Sequence, residues 1–241
     1  MRVRLHTSVN TDLETWLQAK FARMGETLGR TAPLSGLRIA PPLAEWEANF
    51  FGRGLAENLF RVDDRGDVES DLLRTDDASG DLRSYRLFSA EPLRLLRENV
   101  CQLAAAARLI FERGWLPRHI FLEPGRPEHH SNAESFDLLV RSPEGKIFVW
   151  IEVRRSGVEL EKLIADLRAC SRRGPHAHED CGFPQNHPRH EFCVAKQPSC
   201  LWAVAPDSEI SFAIKCDGAA LELEPLASLP PRSRFELGVD D

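Results

Sequence analysis

Residues 135–154 constrain the fold most, because they predict two adjacent strands joined by a short turn. The segment reads FDLLVRSPEGKIFVWIEVR from Phe136 to Arg154. Two apolar runs rich in β-branched and aromatic residues are separated by SPEG, whose proline and glycine are typical of a turn. Apolar residues recur at helical spacing on either side, over 91–113 and 158–171. The strand pair is therefore expected to lie between two helices.

The order of the predicted elements indicates an α/β fold. Further short strands are expected at 118–123, 199–205 and 209–216, which gives the order helix, three strands, helix, two or three strands. We expect a mixed central sheet flanked by helices, preceded by an N-terminal extension. The expected organisation is an α+β extension over 1–90, a domain over 91–228 with a His/Cys-rich insertion at 172–198, and a tail over 229–241.

The composition is that of an ordinary globular protein. The hydrophobic fraction is 42%, the charged fraction is 28% and the net charge is −6, which argues against coating nucleic acid by bulk charge alone. No run of 18 apolar residues and no secretory leader is recognised, so we expect a cytoplasmic protein without a membrane partner. Residues 43–82 hold 11 acids against four arginines, and this acidic stretch is expected to be a solvated face or the surface for a protein partner.

Two acids and an arginine lie inside the predicted strand pair. Because side chains alternate across a strand, Glu152 and Arg154 share one face of the second strand. If the two strands pair as a hairpin, Asp137 lies beside Glu152. Neighbouring buried carboxylates require a cation or a raised pKa. Mg²⁺ or Mn²⁺ held by Asp137 and Glu152, with Arg154 directed at a phosphate, would suit phosphodiester hydrolysis.

This pattern resembles the PD-(D/E)XK, or restriction-endonuclease-like, nuclease superfamily. The family motif is an aspartate on one strand, followed on the next strand by Glu or Asp, any residue and Lys. Here the motif corresponds to Asp137 and to Glu152-Val153-Arg154, and the α-β-β-β-α-β core of the family would cover about 91–216, roughly half of the chain. The resemblance implies a metal-dependent endonuclease acting on DNA, with Asp137, Glu152 and Arg154 as its catalytic residues.

The third motif residue departs from the family, because Arg154 stands where the family has lysine. Arginine stays protonated and cannot act as a base, but it can hold the scissile phosphate. Lys162 could supply the missing amine or simply reach solvent, and Glu91 and Glu98 are expected to face away from the apolar stripe and not to be metal ligands. The alternative function is a catalytically degraded nuclease-like module that serves as a structural or nucleic-acid-binding subunit of a larger complex.

Four histidines and four cysteines lie within residues 170–200. The units His178-x₂-Cys181 and His190-x₂-Cys193 match one another, and imidazole and thiolate are the ligands of structural Zn²⁺. These four residues are candidate ligands of a structural zinc ion, with Cys170, His176, His187 and Cys200 as rival ligands; ordinary loop and core positions are the alternative. Basic residues around this region are candidate nucleic-acid contacts: Arg155, Lys162, Arg172, Arg173, Arg189 and Lys196.

Overall fold

The computed structural model describes residues 6–29, 36–73, 85–122, 136–173, 176, 180–183, 186–218 and 220–235, with side chains from residue 12 onward. Its helices are α1 His6–Thr27, α2 Glu45–Ala56, α3 Arg97–Phe111, α4 Gly157–Arg172 and α5 His187–Lys196. Its strands are β1 Arg61–Val62, β2 Val68–Glu69, β3 Phe88–Ala90, β4 Leu93–Leu95, β5 Ile120–Leu122, β6 Leu138–Arg141, β7 Ile147–Val153, β8 Cys200–Ala205, β9 Ser208–Asp217 and β10 Ala220–Leu226.

A six-stranded mixed sheet forms the centre of the molecule, with the strand order β10-β9-β8-β7-β6-β5. Neighbours are antiparallel except β7 and β8, which run parallel. Parallel neighbours need a crossover, and α4 and α5 lie in the chain that makes it. The predicted mixed α/β architecture is confirmed. Of the helices in the described residues, none combines the length and the hydropathy that crossing a bilayer requires.

Helices cover the sheet on both faces. One core cluster joins α1, α2 and α3 to the sheet through residues such as Leu17, Phe51 and Leu103. The other joins α4 and α5 to the opposite face through Leu163 and Cys193. Because both faces are covered, all seven residues of β7 are buried. Any charged side chain on β7 must therefore find its partners inside the protein.

The β6–β7 hairpin has the predicted strands and turn. Gly145 occupies the turn with φ of 89°, a left-handed conformation that favours glycine. From Val149 to Val153 the side chains alternate between the two cores as predicted. Ile147 and Phe148 are on the opposite faces from those predicted, because a register shift at Val140/Arg141 interrupts the alternation.

Helix α3 begins at Arg97, six residues later than its apolar pattern predicted. Residues 93–95 form β4 instead and pair with β3, so Leu93 belongs to a hairpin and not to a helical stripe. The expected domain boundary after residue 90 falls in the turn of this hairpin. Leu17 and Phe51 on one side of that boundary share a core cluster with Leu103 on the other.

The beginning of the expected C-terminal tail is packed against the core. Leu229 is buried, and the ring of Phe235 lies 5.1 Å from that of Trp115 and 5.7 Å from that of Phe148. Residues 236–241 lie outside the described residues. The segment up to Phe235 therefore contributes to the core cluster that joins α1, α2 and α3 to the sheet.

Candidate functional site: a buried carboxylate pair and a Cys/His cluster

The hairpin brings the two predicted acids together. Leu138 pairs with Ile151 in the antiparallel register of β6 and β7, and the same register continued by one residue places Asp137 opposite Glu152. Residues directly opposite in an antiparallel pair project to the same side. The hypothesis that the two acids lie side by side therefore agrees with the register of the strands.

Glu152 is completely buried, and neighbouring N–H groups and guanidinium groups compensate its negative charge. Trp150 Nε1 donates to its Oε1 over 2.9 Å, and Arg154 Nη2 donates to its Oε2 over 2.7 Å. From α5, Arg189 Nε lies 3.1 Å from the same Oε2. Burial raises the pKa of Glu152, but Arg189 and Arg154 outweigh it and hold the pKa below its usual value. Glu152 is therefore ionised and paired with two guanidinium groups.

Asp137 is less well compensated. Its oxygens accept from Gln102 Nε2 over 2.8 Å and from the backbone N–H of Val153 over 2.6 Å, and a longer contact of 3.3 Å joins it to Arg154 Nη1. Burial, together with the charge of Glu152, raises the pKa of Asp137 well above its usual value despite Arg154. A carboxyl group that tends to keep its proton in this way indicates a site short of positive charge.

Arg154 bridges the two acids. Its Nη1 contacts Asp137 while its Nη2 donates to Glu152, and Nη1 also donates to the carbonyl of Val153 over 2.6 Å. The planar guanidinium has donors spaced to reach both carboxylates at once, which a single ammonium group cannot do. The side chain is 18% exposed, against 7% for that of Arg189, so Arg154 is the more accessible of the two arginines that contact Glu152.

A third acid, Glu98, reaches this site. The sequence had predicted that Glu98 lies on the side of the helix opposite the apolar stripe, away from the two other acids. It lies in the first turn of α3, with Oε1 4.0 Å from Arg154 Nη1 and Oε2 3.9 Å from Arg155 Nε. Helix α3 is buried on all sides from Val100 to Ala107, so the side opposite the apolar stripe also faces the interior, and Glu98 lies there one turn before Gln102, which contacts Asp137. Glu91 lies exposed in the turn between β3 and β4. The cluster thus holds three acids, the partly exposed Arg154 and the buried Arg189.

Replacing Glu98 by glutamine is expected to stabilise the protein at pH 7 by up to about 1 kcal/mol. Burial raises the pKa of Glu98 above its usual value, even though Arg154 and Arg155 lower it. A raised folded-state pKa means that stability is fully present below the unfolded pKa and is lost as pH rises through the folded pKa. The advantage of the glutamine should therefore disappear near pH 4, as urea denaturation at the two pH values would reveal. An advantage that persists at pH 4 would contradict this explanation.

Most of the predicted nucleic-acid contacts lie on the surface, and one does not. The side chain of Arg155 is 64% exposed. Lys162 is exposed and pairs with Asp166 along α4, so its ammonium group is not directed at the acids. Arg189 is the exception, because its side chain is buried against Glu152 and is not accessible to a phosphate backbone. The remaining three are exposed at the ends of α4 and α5: Arg172, Arg173 and Lys196.

A second polar cluster, the Cys/His cluster, consists of Cys170, His176, Cys181 and His187. One ligand atom from each residue lies within 4.8 Å of all the others. Cys170 Sγ is 3.7 Å from Cys181 Sγ, 3.7 Å from His176 Nε2 and 3.6 Å from His187 Nδ1. Two thiols and two imidazoles at these separations could hold a metal ion.

The composition of this cluster differs from the zinc ligands suggested by the matching sequence units. Cys181 belongs to both sets, and His178 lies outside the described residues. Cys193 packs in the apolar core beneath α5, where burial raises its pKa well above the usual value. His190 is also buried on α5, with its ring 6.4 Å from that of His187. The second unit is therefore directed at the core because its residues form a helix, which the spacing alone did not reveal.

Three residues that the sequence suggested only as rival zinc ligands complete the Cys/His cluster. Cys170 lies in the last turn of α4 and His187 is the first residue of α5, while His176 lies between the helices. A cysteine or histidine at each end of the segment that joins two helices is the sequence signal that would have identified these ligands. The fourth rival, Cys200, is buried in β8 among the core residues on the opposite face of the sheet.

No protein-family model and no curated protein matches this chain. The side chains and their contacts therefore carry the functional assignment.

Proposed function

We propose that the protein is a metal-dependent nuclease that hydrolyses phosphodiester bonds in DNA, with the αβββαβ core of the PD-(D/E)XK enzymes it resembles. The observation that carries the proposal is the placement of the partly exposed Asp137 beside the fully buried Glu152, in a cluster of three acids and two arginines. A divalent cation between two carboxylates would supply the missing positive charge.

The residues present fit such an ion in chemistry and in charge. Asp137 and Glu152 would hold Mg²⁺ or Mn²⁺ through hard carboxylate oxygens, and the ion would activate water and stabilise charge on the phosphate. Gln102 and Trp150 orient the two carboxylates through their N–H groups. Arg154 is the more exposed of the two arginines that contact Glu152 and would hold the scissile phosphate, since a guanidinium binds phosphate in the same way that it binds a carboxylate. It does not act as a base, because it stays protonated.

A second function is favoured by a different observation. Each carboxylate oxygen of the pair already has an N–H donor: those of Glu152 from Trp150 and Arg154, and those of Asp137 from Gln102 and Val153. Arginine then takes the place of a metal ion, as expected of a catalytically degraded nuclease-like module. Such a module would be a structural or nucleic-acid-binding subunit of a larger complex, with the acidic residues of 1–90 as its surface for a protein partner.

Cleavage of plasmid and linear DNA with Mg²⁺ or Mn²⁺ distinguishes the two functions. We expect Asp137→Asn and Glu152→Ala to lower the rate by more than about 100-fold, because each removes a metal ligand and not merely an outer contact. Asp137→Asn keeps the shape of the side chain, so it separates loss of chemistry from loss of fold. Glu161→Gln, at an exposed position of α4, is the matched control and should cleave at the wild-type rate.

The folded wild-type protein gives the deciding result. Absence of any metal-dependent cleavage would exclude the nuclease function and leave the non-catalytic module. In that case, DNA binding that weakens steeply with salt would support a nucleic-acid-binding subunit, since phosphate contacts release counterions. Loss of binding on replacing exposed Arg155, with Arg94 on β4 as the control arginine, would assign the contact surface.

We also propose zinc as the metal of the Cys/His cluster and the cytoplasm as the location of the protein. A set of two thiolates and two imidazoles selects zinc over Mg²⁺ or Mn²⁺, which prefer oxygen ligands. All six cysteines lie in the described residues and none of them forms a disulfide, as expected in a reducing compartment.

A further inference from the structure

We propose that Cys170, His176, Cys181 and His187 form a closed, four-ligand zinc site that fixes α5 and thereby keeps Arg189 against Glu152. This role is distinct from the proposed hydrolysis. It makes the Cys/His cluster a positioning device for the buried carboxylate pair.

The separations of Cys170 Sγ from the other three ligand atoms fit tetrahedral zinc. Bonds of about 2.3 Å to sulfur and 2.0–2.1 Å to nitrogen at tetrahedral angles place two sulfurs about 3.8 Å apart and a sulfur and a nitrogen about 3.6 Å apart. The Sγ–Sγ distance from Cys170 to Cys181 is 3.7 Å, and the Cys170 Sγ distances to His176 Nε2 and His187 Nδ1 are 3.7 and 3.6 Å. All three distances match those required by a single central ion.

Groups around the ligands would support the same ion. Glu191 Oε1 lies 3.4 Å from His187 Nε2, and a carboxylate at the distal nitrogen of a metal-bound histidine fixes its tautomer and orientation. The backbone N–H of Phe183 donates to Cys181 Sγ over 3.3 Å, an interaction that stabilises a thiolate. His187 would thus bind through Nδ1, the nitrogen that faces Cys170.

The described residues of the connection between α4 and α5 bury few side chains. Among its described residues, 173, 176, 180–183 and 186, only Cys181 and Asn186 are buried. A long connection without an apolar core of its own needs a constraint, and a structural zinc site contributes its binding free energy to folding. The ligands join the last turn of α4 to the first residue of α5, so the ion fixes where α5 begins.

The start of α5 determines the position of Arg189. That residue follows the ligand His187 by two positions in the same helix, and its Nε lies 3.1 Å from Glu152 Oε2. One turn further along, Phe192 packs on Phe136 with ring centroids 4.2 Å apart. Without the ion, α5 would be held by its packing on the sheet and by its remaining polar contacts, such as that of Cys216 Sγ with the carbonyl of Cys193, and the ion pair of Arg189 with Glu152 would loosen first because its geometry is the most demanding.

Metal analysis of the full chain tests the site itself. Elemental analysis of protein purified from zinc-containing medium should give about one zinc per chain, and Co²⁺ exchange should give the d–d absorption of a tetrahedral thiolate site. Glu191→Gln, an exposed change that leaves the four ligands in place, should weaken zinc binding by about 10–100-fold. The control Glu161→Gln should bind zinc as the wild type does. A protein that contains no zinc and takes up no Co²⁺ would overturn the site.

The positioning role needs a signal from Arg189 itself. Its Nε–H resonance, assigned with Arg189→Lys, should change when zinc is removed or when the half-exposed ligand His176 is replaced by alanine, while backbone amide signals of β7 and β8 persist. Glu161→Gln, an exposed change on α4 outside the cluster, is the control and should leave the resonance unchanged. An Arg189 resonance unaffected by zinc loss in the folded protein would overturn the role.

A titration keeps this test decisive if metal-free protein unfolds. Zinc is titrated into the Glu191→Gln variant over concentrations at which β7 remains folded. The Arg189 Nε–H resonance should change with the same midpoint as zinc binding measured by competition with Co²⁺. A resonance that does not follow zinc occupancy would contradict the proposal. Neither readout involves DNA cleavage, so an inactive protein would refute the nuclease function without affecting this inference.

Discussion

Replacing Arg189 by alanine is expected to lower the free energy of unfolding by about 3–5 kcal/mol. Glu152 has no exposure to solvent, and Arg189 Nε is 3.1 Å from its Oε2. Arg154 remains beside that oxygen, but it also serves Asp137. Removing one partner of a buried ion pair leaves a charge that neither water nor the remaining arginine compensates fully. Urea denaturation at constant metal concentration measures the change.

Two further variants show whether the unpaired charge is the cause. Arg155→Ala removes an arginine that is 64% exposed, and it should change stability by no more than about 0.5 kcal/mol. Combining Arg189→Met with Glu152→Gln should recover most of the loss, because the charge and its partner are removed together. If Arg189→Ala is no more destabilising than Arg155→Ala, the ion pair of Arg189 with Glu152 does not contribute to the free energy of unfolding as expected.

Replacing Arg97 by alanine is expected to cost a comparable amount, about 3–5 kcal/mol. Arg97 binds Glu47 through both Nη atoms and donates to the carbonyls of Pro41 and Pro42 over 2.9 and 3.1 Å. Both side chains of the pair are buried. Glu47 also accepts from the backbone N–H of Ala44 at the start of α2 over 2.8 Å. Alanine at position 97 would leave this carboxylate and two carbonyls without their guanidinium.

The shape of the unfolding transition makes the Arg97 result informative about the N-terminal extension. Because Glu47 and α3 lie in parts of the chain that share one core, the whole transition should move to lower denaturant as a single step. Arg94→Ala, an exposed arginine of β4, should leave the midpoint nearly unchanged. Separate unfolding of the N-terminal residues would contradict the shared core and favour the expected boundary after residue 90.

The central hairpin could be predicted because residues close together in the sequence specify it. Alternating apolar residues and a Pro/Gly turn specify two paired strands, and the register then places Asp137 opposite Glu152. The start of α3 was harder to predict from the sequence, because Leu93 fits both a helical stripe and a short strand. Only the pairing of β4 with β3 decides between the two.

The rest of the site depends on contacts between distant parts of the chain. Arg189 looked like a surface cation, and only the packing of α5 on the sheet turns it towards Glu152. The repeated His-x₂-Cys spacing suggested its own metal site, but the helical conformation of the second unit directs Cys193 into the core. Spacing in the sequence identifies the residue types that bind metal. The ends of α4 and α5 determine which of them meet.

The parallel pairing of β7 with β8 also sets the order in which the molecule can assemble. Val149 meets Cys200 only after the chain has passed through α4, the Cys/His cluster and α5. Closing so long a connection has an entropic cost that grows with its length, and contacts distant in sequence slow folding. An ion that joined Cys170 to His187 would shorten the connection before the strands meet. Metal supply during synthesis would then affect how quickly the sheet closes, as well as how firmly the finished protein holds together.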